Sequence, residues 1–229
     1  MSAVLDSPYA KVEGGLWLRG NLHVHSSRSD GKLDPQGVID AYAALGYDFL
    51  ALSDHDLPSD YAGLDPRGLV LIPAQEVSAG GHHLLAMGSG SGVQALPEPQ
   101  AVIDAVNAAG GLAVLCHPNW EEHFNHYTYS HMLGLTGYAG VEVLNGAVAG
   151  GAGCARADVK WDRMLSAGRR VWGLATDDAH GPKGYGRGWC VVRAAERSPR
   201  AVLTALRTGN FYASSGVAID DVGVEGSEI

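Results

Sequence analysis

The residues best suited to chemistry begin with His23-Val24-His25, which follows the apolar run Leu16-Trp17-Leu18. Side chains two positions apart on a strand point to the same face, so both imidazoles reach one point in space. Asp30 lies a few residues further on, in a loop from which its carboxylate can return to that point. The spacing fits ligands of one metal ion, although one core histidine beside one surface histidine would give the same pattern.

The same arrangement recurs along the chain, because apolar stretches repeatedly end in a side chain that can bind a metal. If these stretches are neighbouring strands of a barrel, their carboxyl ends share one face and the side chains converge there. Asp178-Ala179-His180 also repeats the two-residue spacing of the first pair. The predicted metal ligands are His23, His25, Asp30, His55, Glu76, His83, His117, Asp178 and His180.

Imidazole and carboxylate without thiolate are ligands that suit Zn, Mn or Fe. The set is larger than one tetrahedral zinc ion needs, which predicts two to three divalent ions that share a hydroxide and clamp the substrate's oxygens. Three carboxylates against two or three such ions leave net positive charge, which suits a phosphoryl group. The predicted catalytic residues, which would help to move a proton to the leaving oxygen, are His55, Asp178 and His180.

Other polar residues near these motifs have less specific patterns. We predict that His83 rather than His82 faces the site, because adjacent strand residues point to opposite sides. Three carboxylates beside ligand histidines could accept the second N–H of a bound imidazole, although loop capping explains Asp56 slightly better. They are Asp54, Asp56 and Asp177. Surface or packing positions are predicted for His123, His126 and His131.

Contacts to a substrate are predicted from cationic and amide side chains in loops beside the ligand motifs. Arg187 is favoured, with Lys183 and Arg28 as further groups that could neutralise a phosphate, although surface charge is the default interpretation of each. Asn145 ends another predicted strand and could bond either the substrate or a ligand. Tyr185 and Trp120 could stack on an aromatic group or simply pack.

The elements that must position these residues alternate between strands and helices, which predicts parallel βαβ units. Asp34-Pro35 and Ser198-Pro199 each read as an N-cap followed by the first residue of a helix. About seven strands favour a closed barrel over an open sheet. We therefore predict an α/β fold with a barrel over residues 1–210 and a short strand-like tail over residues 211–229.

Length and composition limit the remaining possibilities. A chain of 229 residues can form one sizeable core, and its apolar residues form no run long enough to span a membrane. Three cysteines without paired spacing favour a reducing compartment, so a cytoplasmic protein is expected. The net charge of -9 argues against a general nucleic-acid-binding surface but does not exclude an anionic substrate. The sequence leaves the oligomeric state open.

Taken together, the motifs resemble those of the PHP (polymerase and histidinol phosphatase) superfamily. The resemblance extends over most of the chain and implies a distorted (β/α)7 barrel with a trinuclear metal site at its carboxyl-terminal mouth. Residues 172–180 and 209–216 also resemble a branch that includes carbaryl hydrolases. The motifs that carry the superfamily resemblance are His23-x-His25 with Asp30-Gly31, Ser53-Asp54-His55, Glu76, His117-Pro118 and Asp178-Ala179-His180.

The leading functional hypothesis is a metal-dependent phosphoesterase that hydrolyses a small anionic ester through a metal-bridging hydroxide. An alternative within the same chemistry is hydrolysis of a carboxylic ester or carbamate. An alternative from another class is a metal-binding module without catalytic activity.

Overall fold

The computed structural model describes residues 9, 12, 14–90, 92–220 and 222. The strands are β1 (Leu16–Asn21), β2 (Phe49–Leu50), β3 (Val70–Leu71), β4 (Ala74–Val77), β5 (Leu84–Met87), β6 (Leu112–Leu115), β7 (Gly140–Asn145), β8 (Trp172–Thr176), β9 (Trp189–Ala194) and β10 (Phe211–Ser214). The helices are α1 (Pro35–Ala44), α2 (Pro99–Ala108), α3 (Tyr129–Gly134), α4 (Asp158–Ser166) and α5 (Pro199–Thr208). None of the described helices is long and apolar enough to cross a membrane.

The strands form two five-stranded sheets, with the orders β10-β9-β1-β2-β3 and β4-β5-β6-β7-β8. The first sheet is parallel from β1 to β3 and antiparallel at β9 and β10. The second is antiparallel from β4 to β6 and parallel from β6 to β8. The predicted α/β class is therefore confirmed.

The predicted closed barrel of seven strands is not formed by the described residues. The two sheets meet through isolated bridges, Val24 with Ala179 and His55 with Glu76, and not through continuous ladders. The stretch from Gly68 to Val77 divides into β3 and β4, which lie in different sheets. Pro73 lies between them, and its missing N–H interrupts a ladder.

The apolar side chains form an inner core between the sheets and two outer layers. The inner core takes residues from both sheets and from one face of α5, including Leu18, Leu85 and Leu206. Helices α2, α3 and α4 cover the second sheet, while α1 covers the first. This packing leaves the carboxyl ends of the parallel strands facing one common mouth.

The predicted helix starts at Asp34 and Ser198 are confirmed in detail. The Asp34 side chain accepts a hydrogen bond from the Gly37 N–H, and the Ser198 hydroxyl accepts one from the Ala201 N–H. The predicted tail from residue 211 begins with β10, which pairs with β9. Residues 221 and 223–229 of that tail lie outside the described part of the chain, and the division at residue 210 stays a prediction.

Candidate metal centre

Both sheets deliver predicted ligands to the mouth. From the first sheet, His23 and His25 follow β1 directly, and His55 lies beyond β2. From the second sheet, Glu76 lies within β4, His83 precedes β5 and His117 follows β6. Asp178 and His180 follow β8. Strand direction therefore explains why residues far apart in sequence meet here.

Glu76 lies at the centre of the first group of side chains. Its buried carboxylate lies within 3.4 Å of a nitrogen of five imidazoles, those of His23, His25, His55, His83 and His117. Asp178 Oδ1 lies 3.2 Å from His23 Nε2 and 3.1 Å from His25 Nε2. The group His23, His25, Glu76 and Asp178 is buried throughout.

Asp30 is the centre of a second, more exposed group. Its Oδ2 lies 3.2 Å from His180 Nε2 and 3.6 Å from His55 Nε2, and its Oδ1 lies 3.6 Å from His25 Nδ1. His180 Nδ1 donates to the carbonyl oxygen of Asp178, 3.1 Å away. All nine predicted ligands are thus brought together around two carboxylates, and their role as ligands stays a prediction.

Two of these residues have backbone conformations that are rare without glycine. His117 has φ of 27° and Asp178 has φ of 47°. Such conformations cost about 1–3 kcal/mol and persist where the surroundings enforce them. The His117 N–H donates to Glu142 Oε2 at 2.7 Å, and the Asp178 N–H donates to the His23 carbonyl oxygen at 2.9 Å.

The opposite charges within the group stabilise one another. Burial opposes charging of His23, yet the carboxylates of Asp178, Glu76 and Glu142 raise its pKa well above the ordinary value. Burial likewise opposes ionisation of Glu76, yet His23 and the other imidazoles hold its pKa well below the usual range. For Asp30, His180 and its neighbours outweigh partial burial and lower the pKa to about 2.

The donor set fits divalent ions. Ligands at about 2.0–2.2 Å from a shared ion lie about 3–4 Å apart, which is the spacing between these nitrogens and oxygens. His23 Nε2, His25 Nδ1 and Glu76 Oε2 are also buried without a hydrogen-bond partner among the described residues. Buried polar atoms are normally satisfied, so these atoms are suited to binding a group beyond the protein.

The sequence did not indicate Glu142, a buried residue that is hydrogen-bonded to the predicted ligand His23. Its carboxylate accepts hydrogen bonds from His23 Nδ1 at 2.7 Å, Thr176 Oγ1 at 2.6 Å and Asn145 Nδ2 at 2.8 Å. A carboxylate on the second nitrogen of a ligand histidine fixes the ring and its tautomer. The available signal was a single acidic residue between the apolar residues Val141 and Val143 of strand β7.

The predicted carboxylate partners hold loops and do not contact the ligand imidazoles they flank. Asp54 accepts from the Ser26 N–H and hydroxyl, which fixes the loop that leads to Asp30. Asp56 accepts from the hydroxyl of Ser78, which itself lies 3.0 Å from His55 Nδ1. Asp177 accepts from the Tyr42 hydroxyl and from three consecutive N–H groups at 186–188.

A cavity of about 280 Å³ opens over the centre. Its walls are Asp30, His55, Glu76, His83, His117, Trp120, Glu122, Ala147, Val148, Asp178 and His180. Arg187 lines a separate, larger cavity, where its guanidinium donates to the carbonyl oxygens of Gly146 and Lys183. The structure therefore does not bring Arg187, Lys183 or Arg28 to this wall, and their role in substrate binding stays a prediction.

The remaining predicted residues divide between the centre and the packing around it. Asn145 Nδ2 donates to Asp178 Oδ2 at 3.1 Å, so it touches a predicted ligand. His82 faces aromatic rings, whereas His83 Nδ1 lies 2.9 Å from Glu76 Oε1, which agrees with the choice of His83. Tyr185 packs on Tyr42. His126 is buried beside His83 and His117, which the sequence did not indicate.

The sequence matches no protein-family model and no curated protein. Three solved structures that share the fold are a two-domain protein from Bacteroides vulgatus containing a predicted PHP-like metal-dependent phosphoesterase, an amidohydrolase from Chromobacterium violaceum with bound sulfate, and the lesion-specific endonuclease PfuEndoQ from Pyrococcus furiosus. Their TM-scores are 0.68, 0.51 and 0.60, at 21%, 20% and 16% identity.

The alignments cover 93%, 71% and 86% of this chain and 67%, 88% and 58% of the respective neighbours. The chain therefore has the fold of PHP-like metal-dependent phosphoesterases, and the resemblance predicted from its motifs is confirmed at the level of the fold. Because one neighbour is an endonuclease, the expected lack of a general nucleic-acid surface stays a prediction.

Proposed function

We propose that this protein is a metal-dependent hydrolase whose substrate is a small phosphate ester. The observation that carries the proposal is the convergence of nine imidazole and carboxylate side chains, from both sheets, around Glu76 and Asp30. Two or three divalent ions bound there would activate water at neutral pH and polarise the oxygens of the ester. The fold of PHP-like phosphoesterases supports this reaction class.

Some of the chain's own residues would hold the ligands in place, and others would transfer a proton. Glu142 and Asn145 hold His23 and Asp178 in place from within the fold. His55 and His180 face the cavity with part of each ring exposed, so they are placed to give a proton to the leaving oxygen. Asp178 lies deeper and keeps the two imidazoles of His23 and His25 oriented.

A second candidate, hydrolysis of a neutral carboxylic ester or carbamate, is favoured by the cavity wall. The described wall carries no lysine or arginine, and it includes the carboxylate of Glu122. A phosphate ester would find no lysine or arginine in this wall, whereas a neutral ester needs none. The fold is also shared with an amidohydrolase.

The decisive experiment combines metal analysis with a substrate panel. The purified protein is treated with chelator, reloaded separately with Zn, Mn or Fe, and assayed on p-nitrophenyl phosphate, nucleoside bisphosphates and naphthyl esters. We expect more than one bound ion per chain and phosphatase activity that chelator abolishes. Preference for the naphthyl esters would favour the second candidate. A metal-loaded protein that cleaves none of them would favour a non-catalytic module, and a protein that binds no ion would overturn the proposal.

A further inference from the structure

Within the described part of the chain, the side chain of His126 makes a single hydrogen bond, and its partner is the backbone of a predicted ligand. The N–H of His83 donates to His126 Nε2 at 2.8 Å. Because Nε2 is the acceptor, the neutral ring must carry its hydrogen on Nδ1. That Nδ1 is buried without a partner among the described residues, and the residue is only 1% exposed.

An unmet buried donor costs about 1–3 kcal/mol, so packing alone gives no reason for an imidazole here. The ring stacks on Phe124 and lies 4.6 Å, centroid to centroid, from the ring of His117. A phenyl ring would make the same contacts without the buried donor. The feature that requires a nitrogen is the acceptor for the N–H of His83.

His126 also connects the wall of the cavity to the candidate metal centre through its hydrogen bonds. The His126 N–H donates to the carbonyl oxygen of Trp120 at 3.0 Å, and Trp120 lines the cavity. Lys160 Nζ closes this loop by donating to the carbonyl oxygens of Pro118 and Tyr127, at 2.8 and 2.6 Å. His126 is therefore held by its own loop and does not depend on His83 for its place.

Among the described residues, the other hydrogen bonds to the His83 backbone are made to its carbonyl oxygen. That oxygen accepts from the Cys116 N–H at 3.2 Å and from the Tyr127 hydroxyl at 3.1 Å. His126 supplies the bond on the N–H side. With both sides fixed, the His83 imidazole is directed at Glu76 Oε1, 2.9 Å away.

We propose that His126 is a positioning residue of the metal centre, whose Nε2 fixes the backbone of His83 and so orients the His83 imidazole toward Glu76. This role rests on the proposed metal cluster and adds to it a residue that acts through the backbone of His83. The consequence is that metal affinity depends on an acceptor atom at the position of His126 Nε2.

The test uses Co²⁺ as the probe, added to the chelator-treated protein and followed by its visible absorption. His126→Gln keeps an acceptor at the Nε2 position, whereas His126→Asn withdraws it and His126→Phe keeps only the ring. Since a lost outer partner of a ligand costs about 10–100-fold in metal affinity, we expect that loss and an altered Co²⁺ spectrum for His126→Asn and His126→Phe. His126→Gln should remain close to the wild type.

His131→Phe serves as the control, because His131 contacts His82 and Tyr127 but no predicted ligand. Circular dichroism checks the fold of each variant. If His126→Phe does not fold, the comparison of His126→Gln with His126→Asn is the test. Equal Co²⁺ affinity and spectra for all variants would overturn the role of His126, as would a loss in His126→Gln as large as in His126→Asn. A wild-type protein that binds no Co²⁺ would instead overturn the proposed function.

Discussion

Glu142 shows how one buried carboxylate can organise several ligands at once. It accepts hydrogen bonds from the ring of His23, from the backbone of His117 and from the side chains of Asn145 and Thr176. Four donors surround two oxygens, so every lone pair has a use. A residue with this many donors around it tolerates no change that adds a donor.

We therefore expect Glu142→Gln to lower metal affinity and activity by about 10–100-fold, because the amide NH₂ would face another donor. Competitive metal titration of the folded variant measures this loss. Glu121→Gln is the control, since Glu121 is exposed and outside the cavity wall. Unchanged affinity in Glu142→Gln would show that His23 is oriented without it.

Glu122 offers a way to distinguish the two candidate substrates. Its carboxylate lines the cavity, so it would repel a phosphate ester but not a neutral one. Because Glu122 is exposed, removing its like charge about 4 Å away is worth about 1 kcal/mol in water, or about fivefold in binding. We expect Glu122→Gln to lower KM for p-nitrophenyl phosphate by about that factor and to leave naphthyl ester KM unchanged. If Glu122→Gln and the wild type have the same KM for p-nitrophenyl phosphate, this would count against a phosphate bound in this cavity.

The three cysteines should differ sharply in reactivity. Burial raises the pKa of the Cys190 thiol to about 12 and that of the Cys116 thiol well above the usual value, whereas Cys154 is exposed. Because the thiolate is the nucleophile, a raised pKa protects the first two at about pH 8. Iodoacetamide followed by mass spectrometry should label Cys154 alone in the folded protein and all three after denaturation. Labelling of Cys116 in the folded state would contradict its burial.

The ligand motifs could be predicted from sequence because each is local. His23-x-His25 and Asp178-x-His180 show their geometry within three residues, and each follows an apolar stretch. Glu142 and His126 could not be assigned in this way, because their partners lie far away in sequence, 119 residues for Glu142 and His23 and 43 residues for His126 and His83. Arg187 had a suggestive loop position, yet its guanidinium donates to the carbonyl oxygens of Gly146 and Lys183.

At the level of elements, local signals located helix ends better than they located strands. Asp34 and Ser198 marked the starts of α1 and α5 because a cap acts within three residues. The short helix α3 was not predicted, since the segment before it shows no periodicity. Whether β3 and β4 share a sheet depends on partners elsewhere in the chain, which no local pattern contains.

Two glycines that end helices provide a test of packing at the element scale. Gly209 after α5 and Gly168 after α4 have φ of +79° and +77°, so alanine is strained at both by about 1–2 kcal/mol. A Cβ at Gly209 would also meet the ring of Trp172, whereas one at Gly168 would meet open space.

We expect Gly209→Ala to lower the free energy of unfolding by at least about 1 kcal/mol more than Gly168→Ala, because overpacking adds to backbone strain. Urea unfolding of both variants measures the difference. Equal losses would mean that Trp172 moves aside at no cost.

At the scale of the whole molecule, the two sheets are joined at the candidate site. The isolated bridges between Val24 and Ala179 and between His55 and Glu76 lie next to predicted ligands on both sides. At the far edges of the sheets, β8 pairs only with β7, and β10 only with β9, within the described residues. Ions at the mouth would therefore link one sheet to the other.

Metal binding should consequently stabilise the junction of the sheets more than their interiors. At a hundredfold excess over Kd, ligand binding adds about 2.7 kcal/mol to the free energy of unfolding. For a protein of this size that raises Tm by about 5–10 °C. Thermal unfolding with and without chelator measures the overall gain, and hydrogen exchange locates it.

The exchange experiment compares amides that bridge the sheets with amides inside one sheet. The N–H groups of His25 and Asp178 donate across the junction, to Ala179 and His23, whereas β1 and β9 pair within the first sheet from Leu16 to Gly20. Chelator should speed exchange at His25 and Asp178 before it affects the β1–β9 ladder, because local opening at the junction needs no unfolding of either sheet. If both sets of amides lose protection together, or if Tm does not change, the ions do not join the sheets.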